Sequence, residues 1–179
     1  MSLTPQRALI VIDIQNDYFA DGLFPLWQAE ETLERIETAI HRAQAQGLPV
    51  ILIQHVADAS KGPAPFFNEG SVGVAIHPRI LAAAPDAPIV RKSFADAFHQ
   101  TTLAATLARL GVSELLLCGM MTQNCVTHTA LSRAADPYRV EVIGDCCTTV
   151  SQILHLIALN GLSTRIVIKA LDTVIGGDC

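Results

Sequence analysis

The sequence predicts an α/β protein with a doubly wound, mostly parallel six-stranded sheet carrying helices on both faces. Three observations lead there. Short β-rich apolar runs alternate along the 179 residues with segments of helical period, the rhythm of strand–helix–strand units joined by right-handed crossovers. The runs are continuously apolar rather than alternating, as strands covered on both faces are. The composition, 50% hydrophobic and 16% charged, excludes disorder and supports a sizeable core in one domain over residues 1–179.

Residues 8–14 are the expected first strand. Residues 30–46 follow as an amphipathic helix, with Leu33, Ile36, Ile40 and Ala43 three and four apart, stopped by Gly47 and Pro49. Residues 50–55 are the second strand. The next 32 residues, 57–88, hold five of the nine prolines with Gly62, Gly70 and Gly73, and show no clear strand. A connection of that length reads as a binding loop, a lid or a subunit contact. Residues 89–91 are a short third strand. Residues 101–110 form a helix with Leu103, Leu107 and Leu110 on one face and Gly111 as its stop. Further strands are expected at 115–119, 140–144 and 165–169, with helices near 125–135 and 150–159 between them.

Several function classes are excluded early. Twelve basic against 17 acidic residues leave a net charge of −5 with no Lys/Arg cluster, which argues against nucleic acid and against an anionic membrane surface. No apolar stretch reaches the ~20 residues of a membrane span, and residues 1–5 carry no secretory pattern, so a cytoplasmic protein is expected. Five cysteines, Cys118, Cys125, Cys146, Cys147 and Cys179, are an odd number without C-x-x-C spacing, which fits free thiols rather than a disulfide framework or zinc site. After the first strand no glycine appears until Gly22, so the Gly-x-Gly-x-x-Gly approach to a dinucleotide is missing. Walker and Gly-x-Ser-x-Gly loops are missing too, and no cofactor is expected.

In doubly wound sheets ligands bind beyond the carboxyl ends of the strands, where strand order reverses. Three strand ends there carry reactive groups. The first ends in Asp13, the third in Lys92, and the fourth runs through Gly119 to Cys125, where a helix should begin. First and fourth strands are neighbours at the switch point, which would bring Asp13 and Cys125 to one crevice. A free cysteine has a pKa of ~8.5, so only about 3% is thiolate at neutral pH. A helix N-terminus and a nearby ammonium would favour the thiolate, and Asp13 could accept its proton.

The segments Leu9-Ile-Val-Ile-Asp-Ile-Gln-Asn-Asp-Tyr-Phe19, Val90-Arg-Lys92 and Gly119-Met-Met-Thr-Gln-Asn-Cys-Val-Thr-His-Thr-Ala130 resemble the isochorismatase-like cysteine hydrolases, a superfamily that includes nicotinamidases and N-carbamoylsarcosine amidohydrolase. The resemblance runs over essentially the whole chain. It implies a six-stranded parallel sheet, a catalytic triad of Asp13, Lys92 and Cys125, and a cis peptide at Met120–Met121. It also implies an oxyanion hole from the backbone N–H groups of Met121 and Cys125, a small-molecule substrate and a homo-oligomer; the long 57–88 segment and the apolar 171–175 stretch are the contact surfaces expected from the sequence itself. Nicotinamidases carry an Asp-x-His-Pro-like metal motif after the second strand. This chain has His55-Val-Ala-Asp58, with His77-Pro78 much later, so no metal is expected. The leading expectation is therefore an amidohydrolase of a small carboxamide or ureido compound. The alternatives are vinyl-ether hydrolysis and a catalytically silent binding protein.

Other candidates are weighed against plainer readings. Phe19, Phe24, Trp27, Phe66 and Phe67 lie in the two loops near the crevice, either as a flat pocket wall or as core packing. Gln15, Asn16 and Asp17 either orient Asp13 or cap the turn. Cys118 reads as core, Cys146 and Cys147 as packing and a turn after the fifth strand, and His128 as an exposed or satisfied histidine; Cys179 has no evident role.

Overall fold

In the computed structural model, residues 6–176 are described. Residues 1–5 and Cys179 lie outside them. Six strands, β1 (Arg7–Ile12), β2 (Val50–His55), β3 (Ile89–Lys92), β4 (Glu114–Met120), β5 (Arg139–Thr148) and β6 (Val167–Lys169), form one sheet in the order β3-β2-β1-β4-β5-β6. Every neighbouring pair is parallel, so the order reverses between β1 and β4.

Alternation within β1 explains the continuous apolar run. Leu9 and Val11 point to one layer, where Leu33, Ile36 and Ile40 of α1 (Ala29–Ala45) cover them. Ala8, Ile10 and Ile12 point to the other, against Leu103 and Leu107 of α3 (Leu103–Arg109) and Leu162 of α5 (Gln152–Ser163). Both faces are buried, and so no polar position interrupts the strand.

Several boundaries differ from expectation, each for a local reason. β1 stops at Ile12 rather than continuing to residue 14, because Asp13 turns the chain with φ 55°. β5 runs on through Cys146 and Cys147 to Thr148, so these cysteines are strand residues rather than a turn after it. The register explains why this was hidden: Leu117 pairs with Val142 but Gly119 with Cys147, so β5 carries an irregularity around Gly144. The helix expected over 125–135 is three pieces: a π turn at Thr122–Val126, α4 (Thr127–Ala130) and a 3₁₀ turn at Arg133–Ala135. α5 starts later than expected, capped by the Ser151 hydroxyl, which accepts from Leu154 N at 3.3 Å. α3 and β6 are shorter than expected. The 57–88 connection contains α2 (Pro78–Ala83), which begins at a proline, and a bridge from Ile76 to Gln15. Residues Leu171–Val174 form a short helix, α6, packed into the core.

Gly119 is required by close approach. Its φ is +128°, and a Cβ there would lie 2.1 Å from Ile12 O in the neighbouring strand.

Candidate active site

Four strand ends build the site. Asp13 follows β1, next to the pair Ile12–Gly119; His55 and Lys92 are the paired last residues of β2 and β3; Cys125 lies in the π turn after β4. The Lys92 ammonium joins them. Its Nζ stands 2.7 Å from Asp13 Oδ2, 2.9 Å from His55 Nδ1, 3.1 Å from Phe94 O and 3.2 Å from Cys125 Sγ. The Lys92 and Asp13 side chains are fully buried. The second carboxylate oxygen, Asp13 Oδ1, is also buried and has no hydrogen bond among the described residues, which leaves it open as an acceptor.

Burial and charge set the protonation states. Burial pushes the Cys125 thiol pKa well up, and the Asp13 carboxylate adds to that; the Lys92 cation opposes both without prevailing. The resting sulfur is therefore a thiol: the ammonium favours the thiolate, as expected, but burial and Asp13 outweigh it. A second physical reason is that Cys125 is not at an α-helical N-terminus but fourth in the π turn, with the Asn124 and Val126 amides folded back onto Met121 O at 3.0 and 3.3 Å. Burial alone would lower the Lys92 pKa, but Asp13 and Cys125 outweigh it and raise the ammonium above its usual value. Burial, then Lys92, lowers the His55 pKa despite the opposing pull of Asp13, so the imidazole is neutral at pH 7.

A cation site is built into this cluster and already filled. Among the described residues, Asp13, His55 and Cys125 are the His, Cys, Asp and Glu side chains close enough to share a metal ion, with one donor atom of each within 4.8 Å of the others. Lys92 Nζ contacts all three. An ion would have to displace that ammonium, so the residues present do not fit a metal. His77 and Asp58 are elsewhere engaged: His77 Nδ1 accepts from Arg79 N, and Asp58 caps Ser60.

The expected aromatic wall is divided. Phe24, Phe66 and Phe67 surround Tyr18, with ring centroids 6.5, 5.6 and 4.6 Å from it, as a packed cluster. Phe19 instead lies on His77, and Trp27 lies toward His155. Phe67 reaches the site through His55, 5.9 Å between ring centres. No side chain of Gln15, Asn16 or Asp17 hydrogen-bonds Asp13 among the described residues; Gln15 meets it only through the backbone, giving its N–H to Asp13 O at 3.0 Å across the turn. Gln15 clamps the backbone of His55, giving its Nε2–H to His55 O and accepting from His55 N, both at 2.8 Å. Asn16 gives to Val72 O. Buried Asp17 accepts from Leu23 N at 3.2 Å and Phe67 N at 2.7 Å, tying both loops together. Cys118 is core, and exposed His128 bonds Asn124 O.

The Met120–Met121 peptide, which leads into the π turn, is cis. From α5, His155 Nδ1 lies 2.9 Å from Thr122 Oγ1 in that turn.

A cavity of about 450 Å³ opens at Lys92, lined also by Val56, Asp58, Arg91, Phe94 and Gln100. Another, of about 490 Å³, is lined by Phe19 and His77 and includes no residue of the cluster. Cys125 itself is 1% exposed and lines neither cavity.

Two participants escaped the sequence reading. His55 drew attention only as part of an imperfect metal motif; its place at the end of a strand was legible, but its pairing level with Lys92 is set by the register of β2 against β3. Phe94 contributes a carbonyl, which any residue type could supply.

Comparison with known proteins gives the family and the fold. The isochorismatase domain profile matches residues 7–172. The chain belongs to the isochorismatase family. An uncharacterized isochorismatase family protein of Bacillus subtilis, YddQ, is 34% identical over 144 residues, covering 80% of this chain and 78% of the relative. A streptothricin hydrolase of Streptomyces noursei is 28% identical over 148 residues, covering 83% of this chain but only 56% of the relative. The nicotinamidase of Escherichia coli is 27% identical over 182 residues, covering 82% and 85%. A crystal structure described as an isochorismatase hydrolase, from Oleispira antarctica, superposes with a TM-score of 0.86 at 30% identity, over 99% of this chain and 100% of that one. This member of the isochorismatase family is a hydrolase by that membership, and a streptothricin hydrolase and a nicotinamidase are among the proteins it resembles. No described helix is long and apolar enough to cross a membrane.

Proposed function

We propose that this isochorismatase-family protein is a cysteine hydrolase of a small carboxamide or ureido compound, acting through a thioester on Cys125. The observation that carries the reading is the Lys92 ammonium in contact with both a buried carboxylate and a buried thiol, 2.7 and 3.2 Å away, at the switch point of the sheet. Perturbed ionisable groups of opposite role in one enclosed cluster are what covalent acyl transfer requires. The names of the streptothricin hydrolase and nicotinamidase relatives support a carbon–nitrogen bond as the target.

The raised thiol pKa dictates the order of events. With no standing thiolate, Asp13 Oδ1 takes the proton from Cys125 as the sulfur attacks the substrate carbonyl. Lys92 and the Met121 and Cys125 amides stabilise the negative charge that develops on sulfur and oxygen. The carbon–nitrogen bond then breaks, and the Asp13 proton leaves with ammonia or the amine. Water, deprotonated by Asp13, hydrolyses the thioester and restores the thiol. Substrate enters by the cavity at Lys92 and Phe94, and the buried sulfur requires a movement of that wall.

Intact-protein mass spectrometry after incubation with a carboxamide and ureide library tests this. An added mass equal to substrate minus its amine, located on the Cys125 peptide, is expected. A Cys125→Ala protein that retains full turnover of a hydrolysed substrate would sink the reading.

A further inference from the structure

We infer that His55 is a positioning residue for Lys92, a role that rests on the thiol chemistry proposed above: its imidazole, carrying its proton on Nε2, accepts one ammonium proton at Nδ1 and so leaves a single N–H to serve both Asp13 and Cys125.

An ammonium has three N–H bonds. Lys92 has four acceptors within 3.2 Å: Asp13 Oδ2, His55 Nδ1, Phe94 O and Cys125 Sγ. Two of these, the His55 nitrogen and the Phe94 carbonyl, keep the same charge throughout hydrolysis. The other two exchange charge. When the S–H bond breaks and an O–H bond forms at Asp13 Oδ1, the negative charge passes from carboxylate to sulfur. The third N–H then turns from Oδ2 to Sγ, and Lys92 follows the charge without giving up a proton.

For this the fixed acceptors must not wander, and His55 is held independently of its ring. Gln15, fully buried, bonds both the N–H and the C=O of His55 at 2.8 Å, and also gives to Val74 O at 2.7 Å. The ring meets Phe67. The charged or titratable side chains facing it are Lys92 at the end of β3, Asp13 after β1 and Cys125 after β4, in keeping with its lowered pKa. Losing the Nδ1 acceptor would leave three acceptors for three N–H bonds and remove one of the two fixed directions that hold the ammonium, so that it could turn or shift away from the sulfur.

The test uses iodoacetamide, itself a small primary carboxamide, with alkylation of Cys125 followed by peptide mass spectrometry at neutral pH. His55→Leu is expected to slow alkylation about tenfold, and His55→Asn, whose side-chain oxygen can accept near the Nδ1 position, to stay within about threefold of the parent. Lys92→Met separates the two ideas. If Lys92→Met slows Cys125 but His55→Leu does not, the inference about His55 falls and the thiol reading stands. If neither variant slows it, or Cys125 is unreactive in the parent protein, both fall. Equal slowing by Leu and Asn would also overturn the acceptor role. Should His55→Leu fail to fold, ¹⁵N NMR of the parent decides: a bare Nδ1 with a protonated Nε2 supports the inference, and an Nδ1–H tautomer or an imidazolium overturns it.

Discussion

Replacing Lys92 by methionine strips the cluster of its only cation while nearly preserving volume. Asp13 is left fully buried, with Oδ2 deprived of its partner at 2.7 Å and Oδ1 already without one. An uncompensated buried charge of this kind costs about 3–5 kcal/mol. The paired replacement, Asp13→Asn with Lys92→Met, removes both charges and needs no compensation, so most of that loss should return. The expected order of stability is parent above double variant above Lys92→Met, with a coupling energy of at least ~2 kcal/mol. Urea unfolding at pH 7, analysed for midpoint and slope, measures it. A double variant no more stable than Lys92→Met would refute the reasoning, because it would mean that the buried carboxylate was never the source of the penalty.

Two further outcomes follow from other parts of the molecule. Four buried thiols, Cys118, Cys125, Cys146 and Cys147, have pKa values raised chiefly by burial above the ordinary thiol value, so above about pH 8.5 the unfolded chain gives up thiol protons that the folded protein retains. Stability is thus lost as pH rises past the ordinary thiol value, by up to ~1.4 kcal/mol per pH unit for each thiol. Urea titrations at about pH 8 and pH 10 should show the decline, and Cys146→Ala should flatten it; equal stability at both would count against the buried-thiol account. Asp17→Asn places an amide N–H₂ against one of the two backbone donors the carboxylate now accepts, from Leu23 and Phe67. A loss of about 1–3 kcal/mol is expected, with faster hydrogen exchange at the Phe67 amide, and an unchanged exchange rate there would contradict the tie between the loops.

The sequence reading succeeded where chemistry repeats along the chain. Apolar runs buried on both faces admit no polar residue, so Leu9–Ile12 and Leu115–Cys118 announce strands without any partner being known. Asp13 and Lys92 stand out as ionisable groups at strand ends, and Cys125 as a thiol four residues beyond the apolar run that ends at Met121. The reading failed where backbone geometry depends on a neighbour. Cys146 and Cys147 continue β5 only because β4 offers pairing beyond an irregular register, and the chain at Gly144 looks like an end. The aromatic residues share composition but not direction, and Tyr18, rather than Trp27 or Phe19, is the ring around which Phe24, Phe66 and Phe67 gather.

Class of fold and strand content are local properties, carried by hydrophobic period and residue type, and they were readable in the chain. Protonation was not. Whether Cys125 rests as thiol or thiolate depends on the burial of sulfur and on the balance of Asp13 against Lys92 within a few ångströms. Likewise, His55 acquires its part only because β2 lies beside β3 and ends level with Lys92. Electrostatic energy in a buried site varies steeply with separation and solvation, and both are set by packing between residues far apart in sequence.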